Sequence, residues 1–153
     1  MDVEIKNMPA LRTAGLRHLG SYQEIGDAFN RLHAIVGPPQ QQSPNTSLIA
    51  IYHDDPEMTP EPELRSDAAI GLASEAQVPA GLREQRLPAG RYACAVHRGS
   101  YKGLPQAWSE LLGQWLPLSG HRLGPGPRYE IYLNTPMDTA EEELRTQLYV
   151  PLD

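Results

Sequence analysis

Apolar positions along this chain switch twice between a two-residue and a roughly 3.6-residue period. Such switching distinguishes strands from helices. Leu11 to Leu19 reads as a strand, as does Val3 to Ile5 before it. After Gly20-Ser21-Tyr22, the residues Ile25, Phe29, Leu32 and Val36 recur at helical spacing and form one apolar stripe. Ser21 and Glu24 have the spacing of a capping box, and Gly37-Pro38-Pro39 stops the helix. A polar loop from Gln40 to Thr46 follows, then a strand from Leu48 to His53. An acidic, proline-rich loop from Asp54 to Glu63 leads to a strand from Arg65 to Leu72.

The plan then repeats. Ser74 to Gly81 is a linker, and Leu82 to Leu87 and Arg91 to Arg98 read as strands. Leu104, Trp108, Leu111, Leu112 and Trp115 form a second helical stripe. Pro105 would remove an intrahelical bond if the helix began at Ser100. The helix is therefore expected to start near Tyr101 to Gly103, with proline in its first turn. A loop from Gly120 to Pro127 precedes strands at Tyr129 to Asn134 and Arg145 to Pro151.

The repetition extends to identities. At an offset of 79 places, Arg12, Ala14, His18, Gly20, Ser21, Tyr22, Ala28 and Leu32 meet the same residue types from Arg91 to Leu111. At an offset of 80, Ile51-Tyr52 meets Ile131-Tyr132 and Glu63-Leu64-Arg65 meets Glu143-Leu144-Arg145. A unit this short cannot bury its own apolar face, so the two copies are expected to share one core. The expectation is one domain over residues 1–153, with repeats of about 1–75 and 80–153. Its fold class is α+β: duplicated strand-helix-strand-strand units with pseudo-twofold symmetry, a mostly antiparallel sheet, two main helices and a central ligand groove.

Composition narrows the function classes. Nineteen acidic residues against 13 Lys plus Arg, a net charge of -6, leave no basic stripe for phosphate backbones, so no direct nucleic-acid partner is expected. No apolar run is long enough to span a membrane, and the start carries neither a basic leader nor an apolar segment. A cytoplasmic location fits. Cys94 is the only cysteine, which excludes an internal disulfide and a cysteine-based zinc site. His53-Asp54-Asp55 lacks a third placed ligand, so no metal and no cofactor is expected.

Differences between the copies point to chemistry. Strand alternation groups Tyr129, Ile131 and Leu133 with Leu148 and Val150 on an apolar face expected to meet the helices. It leaves Glu130, Tyr132 and Asn134 with Arg145, Gln147 and Tyr149 opposite. The first copy's equivalents of that second set include Ala50, Tyr52, Asp67 and Ala69. Ala50 thus stands for Glu130 and Ala69 for Tyr149, so one half offers room and the other a carboxylate and a phenol. Glu130 reads as a solvated carboxylate, an anchor for a bound cation beside aromatic faces, or a general base for water. Tyr149, Tyr132 and Tyr52 would be aromatic walls. Trp108 and Trp115 match Phe29 and Val36, which favours the core, with the groove floor as the other reading for Trp108. His18 and His97 match each other and read as local structural hydrogen bonds; Cys94, on a strand, reads as a buried spectator.

The stretch G-R-Y-A-C-A-V-H-R-G-S-Y-K-G-L-P-Q-A-W-S-E-L-L-G-Q-W-L from Gly90 resembles the second-half core of GyrI-like small-molecule-binding domains. P-R-Y-E-I-Y-L-N-T-P from Pro127 is similar to their glutamate-bearing strand, and T-Q-L-Y-V-P-L from Thr146 to their closing strand. Y-H-D-D-P and E-L-R-S-D-A in the first half resemble the DNA gyrase inhibitor branch of that family. The family is related to effector-binding domains of AraC-type and MerR-type regulators. The resemblance implies a groove for amphipathic, often cationic, aromatic compounds, with a glutamate matched by Glu130. It also implies a role in toxin or drug tolerance, with DNA gyrase inhibition as one route and gyrase as a partner. The alternative it carries is a hydrolase that opens the cyclopropane of genotoxic electrophiles, with Glu130 as general base. No room for a helix-turn-helix domain points to a stand-alone member.

Overall fold

A computed structural model describes residues 1–37 and 47–153. The strands are β1 (Val3–Met8), β2 (Leu11–Leu19), β3 (Leu48–Tyr52), β4 (Arg65–Leu72), β5 (Arg83–Leu87), β6 (Gly90–Arg98), β7 (Arg128–Tyr132) and β8 (Arg145–Pro151). The helices are α1 (Gly26–Val36), α2 (Leu104–Glu110) and α3 (Leu116–Ser119), with a π-helical turn, Leu111–Trp115, joining the last two. These follow the pattern of apolar positions closely. The loop expected from Gln40 to Thr46 lies outside the described residues, as do Pro38 and Pro39.

The chain divides into two compact units. One comprises Ala10–Pro88, the other Met1–Pro9 with Ala89–Asp153. In the first, β2 is paired on one side with β4 and on the other with β5, and β4 continues to β3, all antiparallel. In the second, β6 is paired with β1 and β8, and β8 with β7, again antiparallel. The register is the same in both: Gly15 faces Ala69 in one, Cys94 faces Tyr149 in the other. Each repeat thus contributes its first strand to the sheet built mainly from the other repeat. Sequence gave no sign of that exchange, because pairing partners of short strands are set by tertiary context.

Both helices are entered in the same way. Ser21 and Ser100 each cap a single 3-10 turn, accepting from the backbone N–H of Gln23 and Lys102. His18 and His97 each place Nε2 against the carbonyl of that serine, at 2.9 and 2.8 Å. The matched histidines are therefore structural, as their repetition suggests. Pro105 lies in the first turn of α2, where its missing N–H breaks no helical bond.

The second helix departs from the first at Leu111–Trp115. Leu116 donates its N–H to the carbonyl of Leu111, a five-residue span that marks a π turn. Pro117 accounts for it: a regular α-helix would press the proline ring on the carbonyl of Gly113 and leave that carbonyl without a donor. The apolar stripe survives the widening. Leu104, Ala107 and Leu111 are buried against Ala93, Ala95, Leu148 and Val150, with Trp108, Tyr132 and Tyr101 packed on the same cluster. Each fully buried leucine there contributes about 1.5–3 kcal/mol.

Candidate functional site

Strand phase decides which side chains can meet. Residues directly opposite in an antiparallel pair share a face. Glu130 faces Leu148, and Tyr132 faces Thr146, so Glu130 and Tyr132 lie on the face of Leu148 and Val150 that carries the helix. Tyr129 faces Tyr149 on the other face. This corrects two expectations. Glu130 and Tyr132 do not point away from the helix, and Tyr149 does not share their face. The alternation within each strand was right, but β7 and β8 are joined by a long loop that leaves their mutual phase open.

Glu130 is 1% exposed. The indole Nε1 of Trp108 donates to its Oε1 at 2.5 Å, and the hydroxyl of Tyr132 donates to its Oε2 at 2.7 Å. Trp108 reaches it because it sits one helical turn beyond Leu104, on the stripe that seats α2. The ring of Tyr101 packs 5.3 Å from that of Tyr132. Burial, and then the negative charge of Glu130, push the Tyr101 phenol up to about 12. A buried carboxylate is costly unless its oxygens are hydrogen-bonded, and bonds to a charged group contribute about 1.5–3 kcal/mol each. The cluster is thus a buried carboxyl group held by two neutral donors and walled by three aromatic rings.

The first repeat lacks this centre. Ala50 replaces Glu130 and Phe29 replaces Trp108, while Tyr22 and Tyr52 keep the ring pair at 4.7 Å. Tyr52, expected as a wall, packs on Tyr22 in the Ala10–Pro88 unit. Tyr149 is stacked on Tyr129 at 4.8 Å and donates to Gln147, with its phenol pushed above its ordinary value by burial. Tyr101 escaped the sequence reading because its match with Tyr22 marked it as structural.

Other candidates are placed by their surroundings. Cys94 is buried and its thiol is pushed up by burial, so it is no ready nucleophile. Trp115 stacks on His121 at 6.0 Å. His53 bonds Asp67. Among the described residues, no group of three or more His, Cys, Asp or Glu could hold a metal ion, and no helix is long and apolar enough to cross a membrane.

Comparison with known proteins bears on the whole chain. A DNA gyrase inhibitor of Yersinia enterocolitica is 37% identical over 124 residues, covering 78% of each chain. The crystal structure of the EcmrR C-terminal domain superposes with a TM-score of 0.79 at 17% identity, over 99% of this chain and 97% of that one. The structure of SAV2435 bound to tetraphenylphosphonium gives a TM-score of 0.74 at 14% identity, over 100% and 94%. These two likenesses show a shared α+β fold. Residues 1–153 match the GyrI-like small molecule binding domain, and the chain belongs to that family.

Proposed function

We propose that this protein binds amphipathic, cationic aromatic small molecules, with Glu130 as the anionic anchor and Trp108, Tyr132 and Tyr101 as aromatic walls. One observation carries the reading: a carboxylate 1% exposed whose two oxygens are held by an indole N–H and a phenol. A lipophilic cation gains charge attraction there without the desolvation cost of a small ion, and the aromatic faces add cation–π attraction. A structure of similar fold holds tetraphenylphosphonium, a ligand of this class. The reading rests on no contribution from Tyr149 or Tyr52.

Titration with tetraphenylphosphonium, followed by quenching of tryptophan emission, tests the anchor. Glu130→Gln is expected to weaken binding by about tenfold or more, the loss of one charge-assisted contact. Unchanged affinity in that variant removes Glu130 from the site.

The biological reading that accompanies it is toxin or drug tolerance, including inhibition of DNA gyrase, in a cytoplasmic setting. Its support is the relative 37% identical that is named a DNA gyrase inhibitor. A supercoiling assay with excess protein is expected to show inhibition, and full gyrase activity would end that part of the proposal. In the hydrolase alternative, Glu130 would activate water. Both of its oxygens accept hydrogen bonds, which suits a fixed anchor better than a base that must turn to a water molecule.

A further inference from the structure

The Ala69/Tyr149 difference between the repeats lies on the sheet face opposite Glu130's counterpart, and there it leaves a pocket. On the corresponding face of the second unit, Tyr92, Tyr129 and Tyr149 form a mutually packed triad, with ring centroids 4.8–6.2 Å apart. Under the repeat offsets, Tyr92 becomes Thr13, Tyr149 becomes Ala69 and Cys94 becomes Gly15. Tyr129 becomes Ile49 in the same register, so three phenol rings are missing from equivalent positions, and only one is replaced by a bulky side chain. A pocket of about 210 Å³ opens over these residues, bounded also by Arg17, Asp67, Arg83 and Gln85. Its lining lies within the Ala10–Pro88 unit.

The polar groups have one sign to spare. Asp67 accepts from Arg17 Nε at 2.7 Å and pairs with His53 Nε2 at 2.6 Å, so its charge is already balanced. The outer nitrogens of Arg17 make no hydrogen bond among the described residues, and Arg83 makes no ion pair there. Arginine's planar fork suits a carboxylate. The floor is Gly15 and Ala69; a Cβ on Gly15 would lie 2.2 Å from the Ala68 carbonyl oxygen, so the floor stays flat.

We propose that this pocket is a second ligand site, which takes a small aromatic monocarboxylate. Its ring replaces a phenol ring that the second repeat supplies from its own chain, and its carboxylate meets Arg83 and Arg17. Benzoate titrated into the full chain, followed by amide NMR shifts, is the test. Shifts are expected at Gly15, Ala69 and Gly81, with neutral benzamide at least about tenfold weaker. Ala69→Tyr, which restores the second repeat's residue, is expected to abolish benzoate binding. Should that variant fail to fold, Arg83→Gln, at an exposed position, decides: a loss of about tenfold is expected. Glu130→Gln is expected to leave benzoate binding unchanged, which separates this site from the cation site. The proposal is overturned if benzoate gives no shifts at about 10 mM, if benzamide binds equally, or if both pocket variants retain full affinity.

Discussion

Asp67 shows how a single residue ties stability to pH. Burial alone would raise its carboxyl, but hydrogen bonds from His53 and Arg17 outweigh burial and hold it below its ordinary value of 3.8. A depressed carboxyl stabilises the folded state fully above the unfolded value, and that stabilisation is lost as pH falls through the folded value. Chemical unfolding at pH 7 is expected to show Asp67→Asn destabilised by about 1–3 kcal/mol. Near pH 3 the gap should shrink, because the Asp67 carboxyl of the unfolded chain, at its ordinary value of 3.8, is then mostly protonated. A gap of equal size at both pH values would remove the charge of Asp67 as its cause. Glu130 was found from sequence by a comparable route, since a carboxylate replacing alanine in a repeat has no counterpart to explain it. Of its partners, Tyr132 was expected as a wall and Trp108, whose match with Phe29 favoured the core, as a groove floor; Tyr101 was missed because its match with Tyr22 marked it as structural.

The elements were mostly legible, because each has its own period and its own stop signals. What sequence lacks is the phase between elements. A single wrong choice of phase for β7 against β8 moved Glu130 to the wrong side of the sheet while every strand boundary was nearly right. The π turn was also invisible, since Pro117 announces a break but not its form. The turn into α2 offers a test at this scale. A Cβ on Gly103 would lie 2.7 Å from Cε1 of His97, the ring that holds the Ser100 carbonyl. Gly103→Ala is therefore expected to cost about 1–3 kcal/mol by thermal unfolding. The first repeat has Glu24 at the matched position, on an exposed surface, and Glu24→Ala should stay within about 0.5 kcal/mol. A cost of Gly103→Ala below about 0.5 kcal/mol would mean that His97 moves aside freely.

At the scale of the molecule, duplication was plain in the sequence and the exchange of first strands was not. β1 belongs to the sheet of β6, from Val3 opposite Ala95 to Met8 opposite Gly90. Removing residues 1–9 leaves one edge of β6 unpaired. Hydrogen exchange is expected to quicken over Gly90–Arg98 and to stay slow over Leu11–Leu19, whose partners β4 and β5 remain. Equal acceleration in both strands would show that the two units open together.

The exchange also constrains ancestry. A forebear one repeat long would have carried a first strand with no place in its own sheet and a second strand with a bare edge. Two such chains could complete each other by reciprocal loan, as a domain-swapped pair. On that descent, fusion into one chain preserved the loan, and from then on the two copies could mutate separately. Symmetric partners must change together; joined copies need not, and only then could one carry Ala50 where the other carries Glu130.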